Sequence, residues 1–111
     1  MAYIYNGTGL LATPEGVYDG NTVYEGTGLF KTPVGTYKGG YIYSGIGLFN
    51  SVIGSYKSGT IYRGTGLFST PVGHCKGGYV YRGVGLFSTP IGKYDGNPNG
   101  ACAAALLLLD L

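Results

Sequence analysis

One 19-residue unit recurs five times along this chain of 111 residues, with no insertion or deletion between copies. Each copy approximates Tyr-x-Gly-x-Gly-Leu-Phe-x-Thr-Pro-x-Gly-x-Tyr-x-Gly, and the copies are headed by Tyr5, Tyr24, Tyr43, Tyr62 and Tyr81. A fixed period of this kind indicates one small supersecondary unit packed against copies of itself. The repeat therefore predicts the architecture, and residues present in every copy are expected to serve packing.

The composition favours a folded chain. Its 23 glycines and 5 prolines reach a level also seen in disordered sequences. However, the chain is 44% hydrophobic and only 11% charged, so it has enough apolar surface to form a core. No linker interrupts the repeats, and we expect a single domain over residues 1–111. Its predicted parts are repeats at 3–20, 22–39, 41–58, 60–77 and 79–96, followed by a C-terminal helix at 97–111.

Each repeat predicts a β-hairpin. Residues 41 to 49 are rich in β-forming side chains, and we interpret the glycines among them as slots that neighbouring aromatic rings cover. Thr32-Pro33 and its equivalents mark a turn or the start of a strand, because proline lacks an amide donor. A shorter strand over residues 34 to 38 then ends at Gly39-Gly40, a pair suited to a tight hairpin turn.

Five such hairpins must pack on one another, because a single hairpin is marginally stable in water. An open stack leaves two exposed edges that need polar caps, and the first repeat begins at Tyr3 without one. We therefore predict an all-β, ring-like assembly with pseudo-fivefold symmetry, with an open stack as the alternative.

The C-terminal segment departs from the repeat. Residues 101 to 111 have the composition of an apolar helix, with asparagine or proline well placed near its start. The helix would have no polar face and would be far shorter than the roughly 20 residues that cross a bilayer, so we expect no transmembrane segment. We expect it to pack in the end or centre of the β-assembly, or to form an oligomer interface. The residues assigned to this contact are Leu106, Leu107, Leu108, Leu109 and Leu111.

No recognisable catalytic set stands out. His74 lies beside Cys75, but neighbours in a strand face opposite ways and no third group orients the imidazole. The doublet Gly26-Thr27-Gly28 lacks the third glycine and the helix of a dinucleotide site. Cys75 and Cys102 fit neither a disulfide framework nor a metal site, and both are expected to be reduced and packed. We therefore expect no enzyme, no cofactor and no metal.

Charge varies at two positions of the repeat. One position holds Asp19, Lys38, Lys57, Lys76 and Asp95, and the other holds Asn6, Glu25, Ser44, Arg63 and Arg82. Because stacked repeats bring equivalent positions together, we expect a basic arc formed by Lys38, Lys57, Lys76, Arg63 and Arg82. The arc is either a solvated rim or a site for a phosphoinositide, a nucleic acid or an acidic protein. The formal net charge of +2 does not by itself select among these.

The openings Tyr24-Glu25-Gly26 and Tyr62-Arg63-Gly64 resemble the start of MORN repeats, which are β-hairpin modules that contact membranes and proteins. Over residues 3–96 the chain more closely resembles small bacterial β-flower proteins, in which Gly- and Tyr-rich hairpins surround an axis. The resemblance implies a ring and no assigned activity. We expect a binding or scaffold protein that acts through its repeat surface and forms homo-oligomers or binds a protein partner, with an anion-binding module as the alternative. No secretory signal opens the sequence, so a cytoplasmic location is expected.

Overall fold

The computed structural model describes residues 2–9, 13–45, 50–64, 66–83, 85, 88–95 and 99–109. Within these ranges ten strands precede one helix: β1 (Ala2–Asn6), β2 (Pro14–Asp19), β3 (Thr22–Glu25), β4 (Thr32–Lys38), β5 (Tyr41–Ser44), β6 (Ser51–Lys57), β7 (Thr60–Arg63), β8 (Thr70–Lys76), β9 (Tyr79–Arg82), β10 (Thr89–Asp95) and α1 (Asn99–Leu107). Neighbouring strands are antiparallel, and β1 pairs with β10 to close the sheet into a barrel. The predicted all-β ring is confirmed, and the open stack is wrong.

The strand register repeats around the barrel. Thr22 lies opposite Thr36, and the equivalent partners in the next two repeats are Tyr41 with Ser55 and Thr60 with His74. The same register shift follows each of these pairs. The five hairpins are thus equivalent modules around one axis, in a flat molecule of 39 × 38 × 19 Å.

Strand lengths within a repeat are the reverse of those predicted. The strand expected over residues 41 to 49 ends at Ser44, whereas the partner expected to be short runs over the whole of β4. Gly26, Gly45 and Gly64 follow the short strands with φ angles of 87°, 83° and 87°. This left-handed backbone favours glycine and takes the chain out of the sheet. The first glycine of each Gly-x-Gly doublet is therefore required for its backbone conformation. The prediction that it leaves space for a neighbouring aromatic ring is wrong for this glycine.

Five rows of directly paired residues cross the inner wall of the barrel. Each row begins with a tyrosine or cysteine near the hairpin turns, continues through an aliphatic residue and a glycine, and ends with a polar residue. The rows are Tyr94 with Ile4, Gly16 and Glu25; Tyr18 with Val23, Gly35 and Ser44; Tyr37 with Ile42, Gly54 and Arg63; Tyr56 with Ile61, Gly73 and Arg82; and Cys75 with Val80, Gly92 and Asn6. The aliphatic residues of all five rows are completely buried, which places these rows on the core side.

The helix α1 occupies the barrel interior. It contacts β1 and the strands from β6 to β10, and Ala101, Ala103, Ala104 and Ala105 have no exposed surface. Side chains alone fill an eight-stranded barrel, so ten strands leave a wider bore, which a narrow alanine-rich helix fills. The predicted C-terminal helix is confirmed, although α1 begins at Asn99 and ends at Leu107, whereas the prediction covered residues 97–111. Residues 97, 98, 110 and 111 lie outside the described ranges.

Candidate functional site: the barrel wall

Four consecutive leucines at the end of α1 meet four glycines of the wall, one in each of four successive repeats. The Cδ1 atoms of the leucines lie 2.5 to 2.8 Å from the position that an added Cβ atom would take on the facing glycine. The pairs are Leu106 with Gly92, Leu107 with Gly73, Leu108 with Gly54 and Leu109 with Gly35. Each step along the chain moves the contact by one repeat around the ring.

These leucines pack within their own chain. Leu106, Leu107 and Leu108 are buried, and Leu109 is partly buried against the same core. These contacts correspond to the packing role expected for them, and the alternative role, an interface with another subunit, stays a prediction. Leu111 lies outside the described residues.

A ring of aromatic side chains surrounds the start of α1. The rings of Tyr18 and Tyr37 meet edge to face at 6.2 Å, and those of Tyr37 and Tyr56 at 6.4 Å. A Cβ atom on Gly100 would lie 2.6 Å from Cγ of Tyr56, so the helix enters between the rings because this residue is glycine. Cys75 replaces a tyrosine in this ring, and its Sγ lies 3.9 Å from the Tyr56 hydroxyl.

Two ionisable groups of this ring, Cys75 and Tyr37, have pKa values raised above the ordinary ones. Burial raises the pKa of the Cys75 thiol above its ordinary value, although hydrogen bonds involving Tyr56 and Tyr94 act in the opposite direction. Desolvation, and then the proximity of Tyr18 and Cys75, raises the pKa of Tyr37. Cys75 is a free, buried thiol, as predicted. The Cys102 side chain lies outside the described part of the structure.

Five equivalent rows also cross the outer wall. Each begins with a charged residue beside a hairpin turn and continues through tyrosine or threonine, a variable residue and a second tyrosine. The rows are Asp95 with Tyr3, Val17 and Tyr24; Asp19 with Thr22, Thr36 and Tyr43; Lys38 with Tyr41, Ser55 and Tyr62; Lys57 with Thr60, His74 and Tyr81; and Lys76 with Tyr79, Lys93 and Tyr5. Two adjacent rows therefore begin with an acid and three with a base.

The five cations assigned to a basic arc fall into two groups. Lys38, Lys57 and Lys76 begin outer rows next to the hairpin turns. Arg63 and Arg82 instead end inner rows, opposite Gly54 and Gly73. Alternate residues of a strand point to opposite faces, and three residues of strand separate the two levels by roughly 10 Å. The structure thus separates the arginines from the lysines, and one continuous arc does not form.

The outer wall contains two equivalent clefts. One is lined by the turn residue Gly40, by Tyr41 and Ser55 on the wall, by Lys57 and by Gly66 of the next loop, with a volume of about 270 Å³. The other lies one repeat later, with a volume of about 400 Å³, and is lined by Gly59, Thr60, His74, Lys76 and Gly85.

His74 and Cys75 face opposite sides of the wall, as predicted. The His74 ring stacks on Tyr81 with centroids 4.7 Å apart and planes 5° apart. Its Nδ1 lies 3.0 Å from the carbonyl oxygen of Gly83, which can only accept a hydrogen bond, so Nδ1 is the donor. Cys75 points into the core opposite Val80. The pair cannot act together as a nucleophile and its base.

The loops after the short strands display large apolar side chains. Leu29, Phe30 and Leu67 are 96%, 95% and 97% exposed. This exposure was not predicted, because the Leu-Phe pairs were expected to lie in a strand. The glycines on both sides of Thr27, immediately before Leu29-Phe30, were the available signal for a loop.

Among the described residues, no group of His, Cys, Asp or Glu could hold a metal ion. The same residues include no helix that is long and apolar enough to cross a membrane. Comparisons with family models, with curated proteins and with solved structures gave no match.

Proposed function

We propose that this chain is a non-catalytic binding protein that associates with further copies of itself through the apolar loops of its outer wall. The observation that carries this proposal is the nearly complete exposure of Leu29, Phe30 and Leu67. Removing one such side chain from water is worth about 1.5–3 kcal/mol. Clustered apolar surface at repeated positions is typical of an interaction site.

The two described apolar loops have neighbouring residues of opposite charge. The loop that carries Leu67 borders the same cleft as Lys57. Two repeats earlier, the loop that carries Leu29 and Phe30 occupies the equivalent place, where Asp19 stands in the position of Lys57. One loop is therefore accompanied by a base and the other by an acid.

This difference in charge favours a second copy of the chain as the partner. When the Leu29 loop of one molecule contacts the Leu67 loop of another, Asp19 meets Lys57 and apolar side chains meet each other. A twofold arrangement repeats the contact in the reverse sense, so that two equal contacts close a dimer. The base in the Leu29 loop, Lys31, contacts the barrel of its own molecule: its Nζ lies 4.8 Å from the centroid of the Tyr24 ring.

The non-catalytic part of the proposal is supported by the placement of the most reactive pair. Cys75 is enclosed in the tyrosine ring, and His74 lies on the other face of the wall. The outer rows otherwise present mainly hydroxyls, aromatic rings and single charges. These groups are suited to contact rather than to bond making.

Sedimentation velocity tests the self-association. We expect the wild-type chain to sediment as a dimer or larger, and the triple variant Leu29→Ser, Phe30→Ser, Leu67→Ser to sediment at the one-chain mass of 11.5 kDa. Tyr79→Ser is the matched control, because Tyr79 is 41% exposed on the wall and outside these loops. A wild-type chain that remains monomeric at its highest soluble concentration would overturn the proposal.

A charge exchange tests the pairing. Asp19→Lys and Lys57→Asp should each weaken self-association, because each places like charges in contact. An equimolar mixture of the two variants restores opposite charges at both contacts and should associate again. Single variants that sediment like the wild type would show that these two residues do not meet.

A further inference from the structure

We propose that the cleft beside His74 and Lys76 is a binding site for a phosphate monoester. The cleft lies on the outer wall between the turn at Ser58-Gly59 and the next loop at Gly85; it is open to solvent and has a volume of about 400 Å³. This space exceeds the needs of a bare phosphate and accommodates a small organic group attached to it.

The lining supplies donors and positive charge. Lys76, His74, Ser58 and Thr60 all line the cleft, and its described lining includes no carboxylate. Phosphate oxygens are strong acceptors, and their hydrogen bonds with charged donors are about twice as strong as neutral ones. Stacking on Tyr81 and the hydrogen bond from Nδ1 to Gly83 hold the His74 ring. With Nδ1 as the donor to Gly83, Nε2 can donate to a phosphate oxygen only when the imidazole is protonated.

The equivalent cleft one repeat earlier differs from this one at two lining positions. There, Tyr41 replaces Thr60 and Ser55 replaces His74, although Lys57 still corresponds to Lys76. Tyrosine fills part of the space, and serine supplies no ring nitrogen. The two substitutions together exchange a bulky phenol for a small hydroxyl and a hydroxyl for an imidazole.

The arrangement of cations favours a small ligand over a nucleic acid. A polymer needs a positive path that follows its backbone. Here the lysines begin separate rows, and Arg63 and Arg82 lie on the inner face at a different level. The cleft is also bounded at each end by a turn and a loop, which suits a compact ligand.

The imidazole of His74 gives a site-specific readout, because it is the only histidine in the sequence. We expect its C–H NMR signals to shift saturably when glucose 6-phosphate is added at constant pH, with weaker binding of inorganic phosphate and no shift with glucose. Lys76→Gln should weaken glucose 6-phosphate binding by about tenfold, since it removes a charge-assisted hydrogen bond. Lys38→Gln makes the same charge change in another row and should leave the affinity unchanged.

Thr60→Tyr provides a second variant, because it introduces the residue present in the equivalent cleft and should abolish binding. The titration is repeated on the triple loop variant, which separates ligand binding from self-association. Absence of a saturable shift, equal affinity for inorganic phosphate, or equal weakening by Lys38→Gln would each overturn the assignment. None of these outcomes depends on whether the chain forms dimers.

Discussion

Nη2 of Arg63 donates a hydrogen bond to the carbonyl oxygen of Leu107, with the two atoms 3.1 Å apart. The last carbonyl groups of a helix have no partner within the helix, and the helix end carries partial negative charge. The bond satisfies one of these carbonyls and joins β7 to the end of α1. A residue expected to face an anionic ligand thus stabilises the helix inside the barrel.

Arg63→Gln should lower the free energy of unfolding by about 0.5–1.5 kcal/mol, since it removes this hydrogen bond and its charge. Urea denaturation followed by circular dichroism measures the change. Arg82→Gln is the control at the equivalent position of the next repeat, for which the described residues show no hydrogen bond with α1. Equal losses in both variants would mean that net charge, not the bond to Leu107, accounts for the effect.

Gly54→Ala should destabilise the barrel by at least about 1–3 kcal/mol through overpacking. The added Cβ would collide with the carbonyl oxygen of Tyr62 and would lie 2.6 Å from Cδ1 of Leu108. Leu108→Ala alone should cost about 2–5 kcal/mol. Because the Tyr62 carbonyl belongs to the backbone, the double variant should remain less stable than Leu108→Ala. Equal stability of these two in urea denaturation would show that the leucine is the sole obstacle.

The two glycines of one Gly-x-Gly doublet should respond differently to alanine. Gly26 has a φ angle of 87°, and Gly26→Ala should cost about 1–2 kcal/mol because it forces a side chain into left-handed backbone. Gly28 has no described atom within 4 Å of an added Cβ and no such φ angle, so Gly28→Ala should change the stability little. Thermal unfolding compares the two variants. Similar melting temperatures would contradict the assigned role of Gly26.

Stability should fall in alkaline solution. The pKa values of Cys75 and Tyr37 are raised in the folded state above the ordinary values of 9.0 and 10.0. The unfolded chain therefore loses these protons at a lower pH, and the free energy of unfolding decreases as the pH rises above about 9. Below that pH the contribution of both groups is fully present. Urea denaturation from pH 7 to 11 measures the slope, which Cys75→Ala should reduce; a stability that rises with pH would contradict the prediction.

The closed ring of hairpins was predictable because a 19-residue period and a Gly-Gly turn leave few ways to pair strands. The apolar loops were not, because Leu48-Phe49 and its equivalents also fit a β-strand pattern. The glycines around Thr27 are compatible with a loop, but glycine is permitted both inside and outside a strand, so they do not by themselves show that Gly26, Gly45 and Gly64 take left-handed backbone. Residues 46 to 49 themselves lie outside the described ranges.

The separation of lysines from arginines depends on strand parity. Lys57 pairs with Thr60 on the outer face, and Arg63 lies three residues beyond Thr60, so it must face inward. Once the hairpin turn between Lys57 and Thr60 is placed, this alternation predicts from the sequence alone that the lysines and the arginines lie on opposite faces. The contact between Leu107 and Gly73 could not be predicted from the sequence, because it depends on the position of α1 along the barrel axis, which the repeat does not specify.

The wall of the barrel precedes its plug in the order of synthesis. Ten strands emerge from the ribosome before α1 does, and until then the glycine-lined bore has nothing to fill it. Released chains that end before residue 99 should accordingly be cut rapidly by protease, and resistance in such chains would refute this. We therefore expect the barrel to reach its folded state only when α1 is available to fill the bore.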